Sequence, residues 1–187
     1  MAKLSVFNSV SLDGYFTDDG GDMSWAYAGA DDPEWQTFVS GNAGEGDGAL
    51  LFGRVTYEQM ASYWPTPQAM EAMPTVAEGM NRRRKYVAST TITKPEWDNT
   101  TAIADLVAGV RRLKAGNGPD IVILGSGMVV AELGAAGLID GYQFVVCPIA
   151  LGSGRTLFDG VRTPITMKLV KSQAFRNGKV VNTYAAG

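Results

Sequence analysis

Three short stretches of this chain place small residues, hydroxyls or a guanidinium directly after an apolar run. They are Gly53-Arg54-Val55-Thr56 after Ala49-Leu50-Leu51-Phe52, Ser89-Thr90-Thr91 after Lys85-Tyr86-Val87-Ala88, and Gly125-Ser126-Gly127 after Ile121-Val122-Ile123-Leu124. Each apolar run reads as a buried strand, so each polar stretch sits at a strand's C-terminal end. Where such a strand opens into a helix, backbone N–H groups and the helix dipole gather partial positive charge at one spot, which suits an anion. Taken alone, Gly125-Ser126-Gly127 stays open between an anion seat and a tight turn with no ligand, because Gly-x-Gly without a third glycine is a weak signal. Arg54 adds weight: a cation in the first turn of a helix opposes the dipole and is better explained by an anionic partner. Three phosphate-compatible ends together favour a nucleotide.

Other residues carry two readings each. Asp13, in Ser11-Leu12-Asp13-Gly14, is either a substrate-facing acid or an Asp-Gly turn residue. Asp32-Pro33 has the form of a helix N-cap followed by proline at the first helical position, while Asp32 and Glu34 are also the candidate acids. Trp25 and Tyr27 lie in a Gly- and Asp-rich stretch from Asp18 to Asp32, long enough to act as a lid, though simple loop packing explains them as well. The run Arg82-Arg83-Arg84-Lys85 is either a solvated helix end or a local attraction for phosphate.

Composition removes several classes of chemistry. With no histidine, His-based triads and His-ligated zinc are excluded, and no metal site is expected. The one cysteine, Cys147, lies in the apolar run Phe144-Val145-Val146-Cys147; it allows no disulfide within the chain and fits a reducing compartment. A net charge of -3 gives no nucleic-acid footprint. The absence of a signal-peptide pattern or membrane-length apolar run makes a soluble, cytoplasmic protein the expectation.

The elements that must position these residues alternate. Lys3 to Val10 reads as a strand, Pro33 to Val39 as a helix that ends between Gly41 and Gly48, and Ala49–Phe52 as a strand turning directly into a helix. Pro65 and Pro67 break the chain, Met70 to Met80 is loosely amphipathic, and Lys85–Ala88 is a strand. Leu106, Val107, Val110 and Leu113 share one face of a helix from about Ile103 to Ala115. After the strand and helix around Gly125 come a long apolar strand, Leu138 to Cys147, and a Gly-containing loop to Gly160. Two final strands meet at Asn177-Gly178, the strongest short hairpin signal. The alternation predicts a single domain, residues 1–187, with a mostly parallel sheet, helices on both faces and an antiparallel edge. Ligands in such sheets bind at the strands' C-terminal ends.

In order and spacing, Ser11-Leu12-Asp13-Gly14, Leu51-Phe52-Gly53-Arg54-Val55-Thr56-Tyr57 and Ile123-Leu124-Gly125-Ser126-Gly127 resemble the dihydrofolate reductase superfamily. Gly137-Leu138-Ile139-Asp140, Pro148-Ile149-Ala150-Leu151-Gly152-Ser153-Gly154 and Leu157-Phe158 narrow the resemblance to the C-terminal reductase domain of riboflavin biosynthesis enzymes (RibD) and its free-standing relatives. The resemblance implies a dihydrofolate-reductase-like three-layer α/β/α fold, a homodimer, and NADPH as hydride donor to a small heteroaromatic or ribityl substrate, aminouracil- or pterin-like. By motif position it puts Arg54 and the Ser89 and Thr90 hydroxyls at the adenosine 2′-phosphate. Gly53 and Thr56, and Gly125, Ser126 and Gly127 followed by Met128 and Val129, fall at the pyrophosphate. Leu151 and Gly152 line the nicotinamide side, Asp13 and Trp25 the substrate side, and Asp32 is the catalytic candidate. Val130 replaces a tyrosine expected after the glycine turn. A weak dihydrofolate reductase, or an NADP(H)-binding protein of this fold without efficient catalysis, are the alternatives.

Overall fold

The computed structural model describes residues 1–44 and 47–187. Its ten strands are β1 (Leu4–Ser11), β2 (Tyr15–Thr17), β3 (Ala49–Gly53), β4 (Lys85–Ala88), β5 (Thr100–Ile103), β6 (Ile121–Leu124), β7 (Gly141–Cys147), β8 (Arg155–Thr156), β9 (Met167–Ala174) and β10 (Val180–Ala186). The helices are α1 (Pro33–Val39), α2 (Arg54–Tyr63), α3 (Pro67–Ala72), α4 (Pro74–Arg82), α5 (Leu106–Ala115) and α6 (Gly127–Ala135). Eight strands form one sheet in the order β5-β4-β3-β6-β1-β7-β10-β9. The first six run parallel, and the hairpin β9–β10 supplies the antiparallel edge. The expected α/β architecture is therefore the one observed.

Both faces of the sheet are covered, which is why the central strands read as unbroken apolar runs. On one face Leu4, Val6, Ile121 and Ile123 pack with Val110 of α5 and Val129, Val130 and Leu133 of α6. On the other, Leu50, Phe52 and Val87 meet Tyr57 of α2, Val76 and Met80 of α4, and Trp97. Further along that face Trp35 of α1 packs with Val145, Cys147, Phe175 and Val181, so Cys147 is a core residue.

Several boundaries differ from the sequence reading for local reasons. Ile103 ends β5 instead of opening a helix, because Asp105 caps α5 by accepting the Ala108 N–H at 2.9 Å. The stretch from Met70 to Met80 is two helices, each with proline at its start. The expected helix stop between Gly41 and Gly48 falls partly outside the described residues; up to Gly44 the chain makes a wider, π-type turn. The small antiparallel pair β2–β8 lay outside the sequence reading.

The basic run is half structural. Arg83 and Lys85 are buried while Arg82 and Arg84 are exposed. Arg83 Nε donates to the Gly48 carbonyl. Lys85 Nζ donates to the carbonyls of Met80, Asn81 and Arg83 at 3.0, 2.9 and 2.7 Å and lies 4.5 Å from the centroid of the Trp97 ring. It closes the C-terminal end of α4, where backbone carbonyls need donors and the dipole favours a cation. Among the described residues no helix is long and apolar enough to cross a membrane.

Candidate functional site

The three polar strand ends become neighbours because β4, β3 and β6 are adjacent and parallel. Gly53 pairs in register with Ala88, so Ser89 and Thr90 continue beside the start of α2. Ser126 connects the other two ends. Its Oγ accepts the Gly53 N–H at 2.7 Å and donates to Thr56 Oγ1 at 2.9 Å, so one hydroxyl ties the β3–α2 junction to the β6–α6 turn.

That turn is built from consecutive left-handed residues, Gly125 at φ 65° and Ser126 at φ 62°. A non-glycine residue pays for this conformation, so neighbours must hold it. The approach is close: a Cβ on Gly125 would meet Thr56 Cγ2 at 2.8 Å, and one on Gly53 would meet Ser126 Oγ at 2.7 Å. On the lid side, a Cβ on Gly127 would meet Phe16 at 2.9 Å and the Thr156 carbonyl at 3.0 Å, so the β2–β8 pair roofs the start of α6.

Capping separates these helices from most of the others. Asp32, Thr66 and Asp105 cap α1, α3 and α5 through their side chains. Neither Gly53 at α2 nor Ser126 at α6 does so; α4 also lacks a side-chain cap, but its first residue is Pro74. Two helix N-termini with backbone N–H groups unclaimed by a cap therefore meet at one corner, the arrangement that favours a negative group. Met128 is exposed and Val129 buried in the first turn of α6, leaving their backbones as the groups of interest.

Other candidates have partners that the sequence did not reveal. Arg54, at the first position of α2, pairs with Glu58 one turn later, with Nη1 at 3.0 and 2.9 Å from its two oxygens, and both side chains about half exposed. Ser89 Oγ accepts the N–H groups of Thr91 and Ile92 at 3.1 and 3.0 Å, which bends the chain after β4; Thr90 is exposed.

Asp13 clamps two loops. It accepts from Ser11 Oγ at 2.6 Å, from Gly152 N at 2.7 Å and from Leu151 N at 3.1 Å. These bonds, Ser11 foremost, hold its carboxyl at about 2. The backbone N–H groups of Leu151 and Gly152 are thus spent on Asp13. A carboxylate so well solvated by donors suits a clamp better than a proton carrier.

Asp32 is equally committed. One oxygen accepts the N–H groups of Glu34 and Trp35 at 2.9 and 3.4 Å, and the other accepts Asn177 N at 3.0 Å. Its bonds run to α1 and the β9–β10 hairpin, away from the β3–β6 corner, so the cap reading describes its geometry better than the catalytic one. The stretch expected as a lid is docked on the same hairpin. Asn177 Nδ2 donates to the Gly29 carbonyl at 3.0 Å, and Lys179 Nζ to the Ala26 carbonyl at 2.8 Å. Trp25 Nε1 donates to the Asp22 carbonyl at 3.3 Å, and its ring packs beside the Trp35 cluster. Two residues that the sequence reading did not single out for function, Asn8 and Lys179, are buried and polar; their strand contexts gave no sign of it.

The RibD C-terminal domain family matches residues 2–181. The uncharacterized protein YyaP of Bacillus subtilis (strain 168) is 26% identical over 178 residues, covering 94% of this chain and 90% of that protein. A solved structure from Shewanella sp. PV-4, assigned to riboflavin biosynthesis, superposes with a TM-score of 0.72 at 23% identity, over 100% of this chain and 99% of the other. A pyrimidine reductase-like protein from Corynebacterium diphtheriae NCTC gives 0.67 at 14% identity, over 100% and 92%. At these identities the two structures show a shared fold. The family match spans nearly all of the 187 residues, and with the sheet order and the glycine-turn corner already described, the chain belongs to the RibD C-terminal domain family.

Proposed function

We propose that this chain is an NADPH-dependent reductase acting on a small heteroaromatic or ribityl substrate, aminouracil- or pterin-like, as the family and the names of its structural neighbours suggest. The observation that carries the proposal is the meeting of two helix N-termini without side-chain caps, α2 and α6, across Ser126. The residues fit the cofactor's phosphates. Thr56 Oγ1 accepts from Ser126, which leaves its own proton to donate to a phosphate oxygen. The N–H groups at Gly127, Met128 and Val129 begin α6 without a side-chain cap. Arg54 projects from the first turn of α2 with part of its guanidinium fork beyond the Glu58 contact, suited to the 2′-phosphate of NADPH. Ser89 and Thr90 stand on the adjacent strand end.

When bound, the cofactor supplies a hydride to a C=N or C=O carbon. The chain's own contribution is to bind, to orient and to exclude water. Asp13, by holding Leu151 and Gly152, fixes the loop on the nicotinamide side; the stretch carrying Trp25 covers the cleft. Because both oxygens of Asp32 are held by N–H donors, proton delivery is assigned to water. A homodimer is part of this reading, and light scattering in solution tests it.

Calorimetric titration with NADPH, in parallel with NADH, tests the core of the proposal. Saturable binding with NADPH the tighter ligand is expected; no binding at micromolar concentrations sinks it. A second reading, an NADP(H)-binding protein without efficient catalysis, draws on the commitment of Asp32 to its cap. Cofactor binding with no NADPH oxidation across dihydrofolate, pterin and aminouracil substrates would favour that reading.

A further inference from the structure

Asn8 occupies a position where β1 calls for an apolar side chain. Leu4 and Val6 precede it on the same face of the strand and are fully buried in the core under α5 and α6. Asn8 itself is 3% exposed. Its Oδ1 accepts the Gly125 N–H at 3.0 Å, across 117 residues of sequence. Because a backbone N–H can only be met by the carbonyl end, this bond fixes which end of the carboxamide is which. The other end, Nδ2, is the single buried side-chain nitrogen or oxygen among the described residues with no hydrogen-bond partner.

An isolated buried donor is a cost that a leucine would avoid, and native interiors leave few of them. Two features of the turn explain why a carboxamide stands here. Gly125 begins the left-handed pair that precedes α6, and its N–H, fixed from β1, sets the direction of the next peptide planes. Nδ2 shares its carbon with Oδ1 and so lies beside that same peptide, at the base of the corner where α2 and α6 begin.

We propose that Asn8 is the positioning residue of this corner: Oδ1 holds the left-handed turn open, and Nδ2 donates to an oxygen of the ligand seated on it. The second half rests on the reading of the corner as a cofactor site. The first half holds in the free protein.

Amide exchange and side-chain NH2 resonances of the ¹⁵N-labelled chain separate the two. In the free protein Asn8→Leu and Asn8→Ala remove the acceptor and speed exchange of the Gly125 amide by tenfold or more, while Asn8→Asp, which keeps an oxygen there, restores protection. Exchange at Gly125 that is equal in all four proteins overturns the positioning role. In the wild type, saturation with NADPH shifts the Asn8 NH2 pair, and inorganic pyrophosphate alone shifts the Gly125 to Val129 amides. NADPH that binds and leaves the Asn8 pair unmoved overturns the donor role. A wild type that binds neither NADPH nor pyrophosphate overturns the cofactor reading and the donor role with it, whereas the exchange data still decide whether Asn8 holds the turn.

Discussion

The Gly53 N–H donates to Ser126 Oγ at 2.7 Å, joining two strand ends that lie 73 residues apart. Ser126 Oγ in turn donates a hydrogen bond to Thr56 Oγ1, so the backbone donor and the two hydroxyls form one polarised chain. Ser126→Ala breaks that chain and leaves Gly53 N–H without its acceptor. The expected loss of stability is about 1–3 kcal/mol, the cost of an abandoned donor in a partly buried place. Urea unfolding measures it. Ser126→Gly relieves the left-handed strain while losing the same bonds, so it should be less damaging than alanine; equal losses would mean that the φ of 62° carries no strain.

Arg54 and Glu58 form an exposed i,i+4 pair with the cation on the N-terminal side, the less favourable order along a helix. Such a pair contributes little to stability, so Arg54→Ala should change unfolding free energy by less than about 0.5 kcal/mol. Its effect on NADPH is expected to be far larger, a weakening of roughly tenfold to hundredfold, in line with about 1.5–3 kcal/mol for a hydrogen bond to a charged group. NADH affinity should hardly move. Equal loss for both dinucleotides would remove Arg54 from the 2′-phosphate. Glu58→Gln frees the guanidinium and removes a negative charge, so it should tighten NADPH selectively.

What was legible in the sequence follows from how local each signal is. Unbroken runs such as Leu50-Leu51-Phe52 and Ile121–Leu124 announce buried parallel strands, and each glycine junction announces where a helix starts. Parallel strands then bring those junctions to one end of the sheet, so the corner was foreseeable without coordinates. Asn177-Gly178 marked its hairpin equally well. Hidden features depend on partners far along the chain. The contact of Asp13 with Gly152 spans 139 residues, and β2 and β8 have three and two residues, too few for any periodicity. The burial of Asn8, Lys85 and Lys179 was equally hidden, because amides and lysines normally read as surface.

Asp13 gives an acid-range prediction. Its carboxyl sits at about 2 in the folded chain, against 3.8 for the unperturbed group. A depressed folded value means that the unfolded chain binds the proton first as pH falls. The contribution of Asp13 is therefore complete above about pH 4 and fades between about 4 and 2. Asp13→Asn lacks this titration, so the stability difference between wild type and variant should shrink across that interval. Chemical denaturation at several pH values measures it, and a constant difference from pH 5 to 2 would show that the Ser11, Gly152 and Leu151 bonds do not act through the ionised form.

Lys179 links the hairpin to the stretch that carries Trp25. It is 1% exposed, donates to the Ala26 carbonyl at 2.8 Å and lies 4.4 Å from the centroid of the Trp35 ring. Burial pulls its ammonium below the usual 10.5. Since the folded value is the lower one, the unfolded chain keeps the proton longer, and the native state gains stability as pH rises toward 10.5. Lys179→Met removes both the titration and the anchor. A well-packed apolar replacement for a buried charge is often nearly neutral overall, so the global change should stay within about 1–2 kcal/mol. The local change should be large: amide exchange from Trp25 to Gly29 speeds up and proteolysis after Trp25 or Tyr27 becomes faster. If that stretch stays protected, Asn177 still holds it, through its side chain at the Gly29 carbonyl and its backbone N–H at Asp32. The double variant Lys179→Met with Asn177→Ala removes the Gly29 bond, leaves the backbone one, and is then expected to loosen the segment around Gly29.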